Sequence, residues 1–484
     1  MHPRLSPVGR TSGTLLVALV ALTAACQEAV EPTGPTVLAA KPGSGPVVNN
    51  VVPDSSKRGT RLDITVSGSG FDQGSVVALE QEGVPAAGIT VNATTFITPR
   101  KLIADVSIAA AADTGHMDVA VTTSGGRKGV GIELFVVQYE IAELGMFGGT
   151  WSIAHAINDQ GVIVGASCTD DCLSRAFRWT ESGGLEDLGT MAGYSRSYAY
   201  AITGQGTIFG TVECRPGDPG CGDEFQRQLV RWDMIGDSWT ITPVAGCSLV
   251  VGPFGFRFLV NDSEQCVAGR VVRTLSGGAV VSEELLPPLV PGGTASAFAI
   301  SNAPMVAGVA TDLAGTRQPV LWYRRSNGTW DVLPLGLPST DVFAHALDVG
   351  EPDAAGRVFV SGYSQMAGTR QPIRALRWTL ESDGLGGWGV VSTEIFESPI
   401  QQRGQANAWG VGINDAGDMV GIAGGYVESG SPIKWAADGS FEVLPVSTGT
   451  AQGIAVAINN NGWIVGSVWD PRNACDRAAV WRQN

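Results

Sequence analysis

The sequence predicts an all-β protein that is built from a repeated unit. Of its 484 residues, 65 are Gly and 26 are Pro, which is typical of a chain with many turns. Long helical patterns rich in Leu, Lys and Glu do not occur. The phrase AINDQGVIVG, from Ala156 to Gly165, returns as AINNNGWIVG, from Ala457 to Gly466. Recurrence at this distance predicts a repeat protein.

The repeated unit occurs seven times and contains four short strands. In each copy an apolar first strand ends at a polar residue that favours a tight turn. These residues are Asn158, Thr203, Asn261, Ser301, Asp348, Asn414 and Asn459. A second strand then ends in Gly, a third ends in Trp in six copies, and a fourth is short. Four strands per unit and intervals of about 50 residues predict a seven-bladed β-propeller over residues 138–484.

The two ends of the repeat region predict how the ring closes. The last copy stops at Trp481 without a fourth strand, whereas a spare fourth strand, Tyr139 to Gly145, precedes the first copy. We therefore expect this N-terminal strand to complete the last blade, which would remove the exposed sheet edges.

Residues 46–137 predict a smaller domain of β-strands ahead of the repeats. Leu62, Ile64 and Val66 alternate with polar neighbours, and residues 116–121 alternate again. This is the period of a half-buried strand.

The first 45 residues predict export. Arg4 and Arg10 precede an apolar run from Leu15 to Ala25, which is too short to span a bilayer but suits a signal peptide over residues 1–25. Residues 26–45 are rich in Pro, Gly, Thr and Ala, a composition that predicts a flexible tether.

The end of this leader, Leu22-Thr-Ala-Ala-Cys26, resembles a bacterial lipobox, although Thr23 stands where Leu is usual. The resemblance implies lipidation of Cys26. Since Gln27 rather than Asp follows, it also implies an anchor in the outer membrane or at the cell surface. Plain secretion with an unmodified Cys26 is the alternative.

The small domain resembles the IPT/TIG group of immunoglobulin-like domains. The matching positions are Pro53, Gly59, Ile64–Phe71, Asp118–Val121 and Phe135. The resemblance implies a sandwich that acts as a spacer or docking module, without chemistry of its own.

The repeats resemble the bacterial extracellular HAF repeat, most closely at residues 151–189 and 451–481. Arg175, Arg374 and Arg477 stand where that family has His. The resemblance implies a propeller at the cell surface. We expect these arginines to make hydrogen bonds between blades.

Composition and motifs exclude several function classes. The net charge of −15 disfavours nucleic acid and anionic membrane surfaces as partners. The motifs HExxH, GxSxG and CxxC and the P-loop do not occur. We therefore expect no catalytic residue, no metal and no cofactor.

Two histidines and the recurring tryptophans are the remaining candidates for a ligand site. His155 and His345 precede similar phrases, which would place them at one repeat position and allow a paired ligand site. Bulky apolar residues hold this position in the other copies, so packing between blades is the preferred interpretation. The recurring Trp residues are likewise expected in the core.

Eight Cys residues predict disulfides, as expected of an exported protein. The close pairs are Cys168 with Cys172, Cys214 with Cys221 and Cys247 with Cys266. This scheme leaves Cys475 outside the pairs.

Loop lengths point to a binding face. Turns between first and second strands are tight, whereas loops between second and third strands and between blades are long and share one face. The residues expected there are Tyr194, Arg196, Tyr198, Arg215, Tyr363 and Arg370. We expect a non-catalytic monomer that binds an extracellular glycan or protein. The alternatives are an enzyme acting on extracellular polysaccharide and a purely structural envelope protein.

Overall fold

The computed structural model describes residues 45–482 with short gaps. The gaps are residues 82, 110–111, 113, 253–254, 369–371, 402–403, 426–428, 447–451 and 472–473. The predicted signal peptide, Cys26, the tether up to residue 44 and Arg370 lie outside the described residues. Every regular element described is a β-strand, so the all-β prediction is confirmed. Within these residues no helix is long and apolar enough to span a membrane.

Residues 47–138 form two sheets around one core. Their orders are β1-β3-β7-β6 and β2-β9-β8-β4-β5, and only β2 and β9 pair in parallel. The strands are β1 (Val47–Val52), β2 (Ser55–Lys57), β3 (Arg61–Ser69), β4 (Val76–Gln81), β5 (Val84–Pro85), β6 (Ile89–Thr98), β7 (Lys101–Ile108), β8 (Gly115–Thr122) and β9 (Lys128–Gln138). Ile64 and Val66 of one sheet and Val119 and Val121 of the other are fully buried. The alternation read from the sequence thus points one face of each sheet into a shared core.

The repeats follow as a series of small antiparallel sheets. A spare strand, β10 (Glu140–Glu143), comes first. Repeats 1 and 2 are β11 (Gly148–Ile157), β12 (Ile163–Thr169), β13 (Ser174–Thr180), β14 (Gly184–Asp187), β15 (Arg196–Ile202), β16 (Ile208–Cys214), β17 (Gln226–Ile235) and β18 (Ser238–Pro243). Repeat 3 is β19 (Leu249–Gly252), β20 (Gly255–Phe258), β21 (Gln265–Ala268), β22 (Val271–Ser276) and β23 (Ala279–Leu285). Repeats 4 and 5 are β24 (Ala295–Ile300), β25 (Met305–Thr311), β26 (Arg317–Arg324), β27 (Trp330–Pro334), β28 (Asp341–Val349), β29 (Arg357–Met366), β30 (Ile373–Ser382) and β31 (Trp388–Phe396). Repeats 6 and 7 are β32 (Asn407–Ile413), β33 (Met419–Gly424), β34 (Ser431–Trp435), β35 (Phe441–Val443), β36 (Gly453–Ile458), β37 (Ile464–Asp470) and β38 (Cys475–Arg482).

The pairing predicted between the two ends of the repeat region is confirmed. Repeats 1, 2, 4, 5 and 6 are four-stranded sheets in chain order. Repeat 7 supplies three strands, and β10 pairs antiparallel with β38, from Glu140 opposite Arg482 to Glu143 opposite Ala479. A core cluster joins repeat 7 to repeat 1 through Val465, Phe177 and their neighbours. The last repeat therefore packs on the first.

A β-bulge explains the Gly of the second strand in six of the seven repeats. The second strand does not end at this Gly as predicted, because β12, for example, continues from Gly165 to Thr169. In repeat 1 the register shifts between Ala154 and Ala156, directly opposite Gly165. A Cβ at Gly165 would collide with the Ile153 carbonyl and the Phe177 ring. The same shift faces a Gly in repeats 2, 4, 5, 6 and 7. Glycine is thus required where the bulged strand approaches its neighbour closely.

Four of the turn residues join their repeat to the next. The side-chain amides of Asn158, Asn261 and Asn414 donate to the main-chain carbonyls of Thr203, Ser301 and Asn459, at 3.1, 3.0 and 3.4 Å. Asn459 Nδ2 in turn donates to Asn158 O at 2.9 Å. The two copies of the repeated phrase therefore contact each other across the junction of the last and first repeats.

A second set of bonds runs parallel to the first. The side chain of the residue after the turn residue accepts a main-chain N–H from the preceding repeat. The acceptors are Asp262 from Gly204, Asn302 from Asp262, Glu351 from Asn302, Asp415 from Glu351, Asn460 from Asp415 and Asp159 from Asn460. Main-chain N–H groups at six of the turns are thus paired between repeats.

Repeat 5 is offset by two residues from the alignment read in the sequence. Its bulge faces Gly362 with Ala346 as the partner, so Ala346 corresponds to Ala154 of repeat 1. Gly350, not Asp348, then occupies the turn position, and Glu351 takes the place of Asp159. The prediction of Asp348 as the turn residue is wrong, because the connection between β28 and β29 is longer than in the other repeats.

The cysteine predictions are confirmed for two pairs of three. Cys214 bonds Cys221 and Cys247 bonds Cys266, with Cα–Cα distances of 5.5 and 6.0 Å. The pairing of Cys168 with Cys172 is wrong, and both are free thiols. Cys168 Sγ is buried and accepts the Thr150 N–H at 2.9 Å, whereas Cys172 lies exposed in the following turn with φ of 58°.

Candidate functional site

The first strands of the repeats surround a cavity of about 920 Å³, which we call the inner cavity. Residues of repeats 1 to 5 and 7 line it. The first strand carries a bulge in every repeat except repeat 3, and the residue at the bulge departs from the regular alternation of its strand. In repeats 1, 2, 4 and 7 this residue is His155, Tyr200, Phe298 or Val456, and all four line the cavity. The repeat thus builds a wall whose chemistry varies at one position.

One side of the inner cavity is aromatic. The His155 and Tyr200 ring centroids are 5.0 Å apart, and Tyr198 stacks on Tyr200 at 6.2 Å with 9° between the planes. Phe256 meets the edge of Tyr200 at 6.2 Å. Trp151 also lines the cavity, as does Trp469. Such a surface offers flat apolar faces and phenol hydroxyls together.

Repeat 3 departs from the others and contributes the cavity's cation. Its expected first strand is replaced by the hairpin β19–β20. A bridge between Val260 and Cys266 and the Cys247–Cys266 disulfide join this segment to β21. Arg257 of this hairpin donates to Leu347 O and Val411 O, both at 3.1 Å. The guanidinium therefore ties repeat 3 to repeats 5 and 6 across the cavity. Burial lowers the pKa of Arg257, and the Asp348 carboxylate opposes that shift.

The other ionisable groups of the cavity are held by main-chain partners. Asp348 accepts the N–H groups of Val349 and Ile413 at 3.0 and 3.1 Å, and burial raises its pKa despite the nearby Arg257. His155 Nδ1 lies 2.8 Å from Ala199 O, so Nδ1 carries the proton. Burial lowers the pKa of His155, which keeps the imidazole neutral with the Nε2 lone pair unprotonated.

Three of the predicted face residues come together at the cavity. Tyr198 lines it, and Arg215 Nη2 donates to the Tyr198 hydroxyl at 3.1 Å. Arg196 forms a two-point ion pair with Asp218, at 2.7 and 2.8 Å, and lowers the pKa of that carboxyl. The Cys214–Cys221 disulfide spans the loop that carries Arg215 and Asp218. This loop is therefore fixed rather than loosely attached.

The remaining predicted face residues lie elsewhere. Tyr194 is half-buried in the turn before β15, where its N–H donates to Met191 O. Tyr363 was expected in a loop, but β29 extends to Met366 and buries its side chain. Its hydroxyl lies 3.1 Å from His345 Nδ1. Both line a separate pocket of about 490 Å³, beside Arg317.

The two histidines do not share a repeat position. The two-residue offset of repeat 5 places Leu347, not His345, where His155 lies in repeat 1. The assignment of His155 and His345 to one repeat position is therefore wrong. Burial lowers the pKa of His345 to about 4, and its ring stacks on Phe298 at 5.6 Å.

The packing interpretation of the tryptophans is confirmed. Trp232, Trp322, Trp378, Trp435 and Trp481 are fully buried, and Trp179 is 9% exposed. The arginines are only partly as expected. Arg175 donates to Ser195 O of the next repeat, whereas Arg374 pairs with Asp341 within its own repeat and Arg477 with Asp470.

Sequence reasoning missed Arg257, Trp151 and Trp469. No repeated motif marks Arg257, because repeat 3 departs from the pattern there. A signal existed for the tryptophans, since each stands outside the third-strand position that accounts for the core set. Among the described residues, no group of three His, Cys, Asp or Glu side chains is arranged to hold a metal ion.

Comparisons with known proteins identify no family. No family model matches the chain, and no curated protein matches it. A structural genomics protein of unknown function from Bacteroides thetaiotaomicron is 11% identical, with a TM-score of 0.31, over 92% of this chain and 99% of its own. AofleA from Arthrobotrys oligospora is 10% identical, with a TM-score of 0.31, over 75% and 90%. Both TM-scores are below the range of a shared fold.

Proposed function

We propose that the protein is an exported recognition module that binds an extracellular glycan in the inner cavity. In this proposal residues 46–137 form an immunoglobulin-like spacer of the IPT/TIG type. Residues 138–484 form a seven-bladed β-propeller of HAF-like repeats, closed by its N-terminal strand. Cys26 carries the lipid anchor at the cell surface, and the protein acts as a monomer without catalysis.

The observation that carries the binding function is the aromatic wall of the inner cavity. The C–H groups on one face of a sugar ring are apolar and pack on an aromatic ring, whereas the hydroxyls need hydrogen-bonding partners. Tyr198 and Tyr200 supply stacked faces, Trp151 and Trp469 widen the apolar surface, and His155 Nε2 is an acceptor. A large apolar cavity with a few convergent polar groups is the usual form of a ligand site.

The inner cavity favours binding over hydrolysis. Glycosidases need two carboxyl groups at a defined separation, one of them with a raised pKa. Two carboxyl groups, Asp348 and Asp476, line the cavity. The one with the raised pKa, Asp348, has both oxygens occupied by main-chain N–H groups, and its charge faces Arg257.

The two disulfides support the exported location. Cytosolic thiols are kept reduced, so Cys214–Cys221 and Cys247–Cys266 suit an oxidising compartment.

The test is a glycan and polysaccharide array probed with the purified full chain, with released reducing ends assayed in the same wells. Binding without release is expected. Trp151→Ala should weaken binding about tenfold by removing a ring from the wall. Trp388→Ala, a half-buried tryptophan on β31 outside the cavity, should leave binding within twofold of the parent. Release of reducing ends would replace the proposal with the enzyme alternative.

A further inference from the structure

A second cavity, of about 490 Å³, lies between the N-terminal sheets and repeat 6. We call it the acidic cleft. Its walls come from β4, β8 and β9 on one side and from β34, β35 and the turn between them on the other. The charged and aromatic side chains that line it include Glu80, His116, Glu133, Lys434, Phe441 and Glu442.

The charges that line the acidic cleft do not balance. Its described lining residues include five carboxylates and one ammonium group. That ammonium, on Lys434, forms its ion pair with Asp418 at 2.8 Å. Glu80 is matched by Lys128, at 2.7 Å. The other lining carboxylates include Glu133 and Glu442, and the cleft therefore attracts positive charge.

Glu442 is the group that points to a ligand. Its side chain is only 6% exposed, and its Oε1 atom is buried without a hydrogen-bond partner. Burial raises the pKa of Glu442 to about 7, although Lys434 and the Tyr139 N–H oppose the shift. A buried carboxylate oxygen without a donor costs folding free energy, and a charged donor in the cleft would remove that cost.

The aromatic groups of the acidic cleft favour an organic cation over a simple inorganic one. Phe441 is 41% exposed, and its ring centroid lies 6.2 Å from that of His116. His116 Nδ1 is also buried without a partner and can accept a hydrogen bond when the proton is on Nε2. Aromatic faces bind organic cations and the apolar stems that carry them. The described carboxylates are not arranged to hold a metal ion.

We propose that the acidic cleft binds an organic cation, an ammonium or guanidinium group on an apolar stem. The cation donates to Glu442 Oε1, and its stem lies against Phe441 and His116. This site is separate from the inner cavity, and the proposal does not depend on what the inner cavity binds.

The test is ligand-observed NMR titration of the purified full chain with N-acetyl-lysine amide, N-acetyl-arginine amide and putrescine. N-acetyl-norleucine amide is the uncharged control. We expect the cationic probes to bind at least tenfold more tightly than the norleucine probe. A preference for the amino-acid amides would indicate a protein side chain as the natural ligand, and a preference for putrescine would indicate a free polyamine.

Two variants locate the binding. Glu442→Gln keeps the shape of the side chain and removes its charge, and it should weaken the lysine probe at least tenfold. The matched control is Glu381→Gln, which removes one charge from an exposed residue of β30. Phe441→Leu, at a half-exposed position, should weaken binding about threefold and gives an answer should Glu442→Gln fail to fold.

Three results would overturn the proposal. The first is no measurable binding of any cationic probe. The second is equal binding of the norleucine probe. The third is binding to Glu442→Gln or Phe441→Leu that matches Glu381→Gln. Circular dichroism of each variant confirms that the comparison is made on folded protein.

Discussion

Repeats 1 and 3 use the same turn but build different inner walls. Asn158 and Asn261 both donate a side-chain amide to the next repeat, at nearly equal distances. Repeat 1 then runs a continuous first strand with His155 at its bulge. Repeat 3 has a separate hairpin carrying Arg257, tethered by a disulfide. The hydrogen bonds that join the repeats are therefore kept where the wall of the inner cavity has changed.

The largest expected effect comes from breaking the shared turn at the junction of the last and first repeats. Asn459→Ala removes the bond to Asn158 O and the acceptor for the N–H groups of Asn461 and Trp463. Three hydrogen bonds of a buried side chain are lost together, so we expect a loss of about 4 kcal/mol in the free energy of unfolding. Urea denaturation measures it.

The control for this variant is Thr203→Ala in repeat 2. Thr203 Oγ1 accepts only the Thr207 N–H of its own turn among the described contacts. The expected loss is about 1 kcal/mol. Equal losses for the two variants would show that the bonds between repeats add nothing to stability.

The second test opens the disulfide that tethers the hairpin of repeat 3. Replacing Cys247 and Cys266 together by Ser opens a disulfide that joins residues 19 apart, which should cost about 3 kcal/mol in unfolding free energy. The same change at Cys214 and Cys221, which are 7 apart, should cost about 2 kcal/mol. Thermal denaturation of both double variants under oxidising conditions gives the comparison. A larger cost at Cys214 and Cys221 would show that the length of the closed loop does not set the contribution of these disulfides.

The third test concerns Glu442, which is buried where repeat 6 faces the N-terminal sheets. Burial raises the pKa of Glu442 to about 7 in the folded protein from 4.5 in the unfolded chain. The folded state therefore binds more protons between these values, and its stability falls as the pH rises from about 4.5 to about 7.

Glu442→Gln removes this dependence. The variant should match the parent near pH 4.5 and exceed its unfolding free energy by roughly 2 kcal/mol at pH 8. Urea denaturation across this pH range measures the difference, with Glu381→Gln as the charge control. A difference that stays constant with pH would place the titrating group elsewhere.

The smallest expected effect tests whether the inner cavity and the pocket that contains His345 and Tyr363 are separate sites. Tyr363→Phe removes the hydroxyl beside His345 Nδ1 and should cost about 1 kcal/mol in unfolding free energy. Glycan binding should be unchanged, since Tyr363 does not line the inner cavity. Weakened glycan binding would mean that the two spaces act as one site.

The sequence predicted those features of the fold in which local geometry requires one type of residue. Gly165 faces a bulge, Asn158 makes a turn, and the Trp at each third strand is large enough to fill the space between sheets. The spare strand at Glu140–Glu143 followed from counting strands. Each of these depends on local geometry repeated along the chain.

The features that could not be predicted depend on contacts between residues that are not neighbours in the repeat pattern. Nothing local distinguishes a hairpin from a first strand in repeat 3, because its position follows from the bonds of Arg257 to distant carbonyls. The offset of repeat 5 follows from a longer turn that keeps Glu351 within reach of Asn302. Cys168 and Cys172 are close in sequence, yet Cys168 Sγ faces the backbone of Thr150.

The pairing of β10 with β38 has a consequence for synthesis. The strand that completes the last repeat emerges from the ribosome before any repeat does, and its partner emerges last. Until Glu140–Glu143 finds the final strand, two sheet edges stay open and the contacts between repeats 7 and 1 cannot form. Contacts so distant in sequence form late in folding. The chain thus keeps its ends unjoined while it is being made. A product cut short before β38 would leave β10 without its partner strand and available for pairing with another molecule.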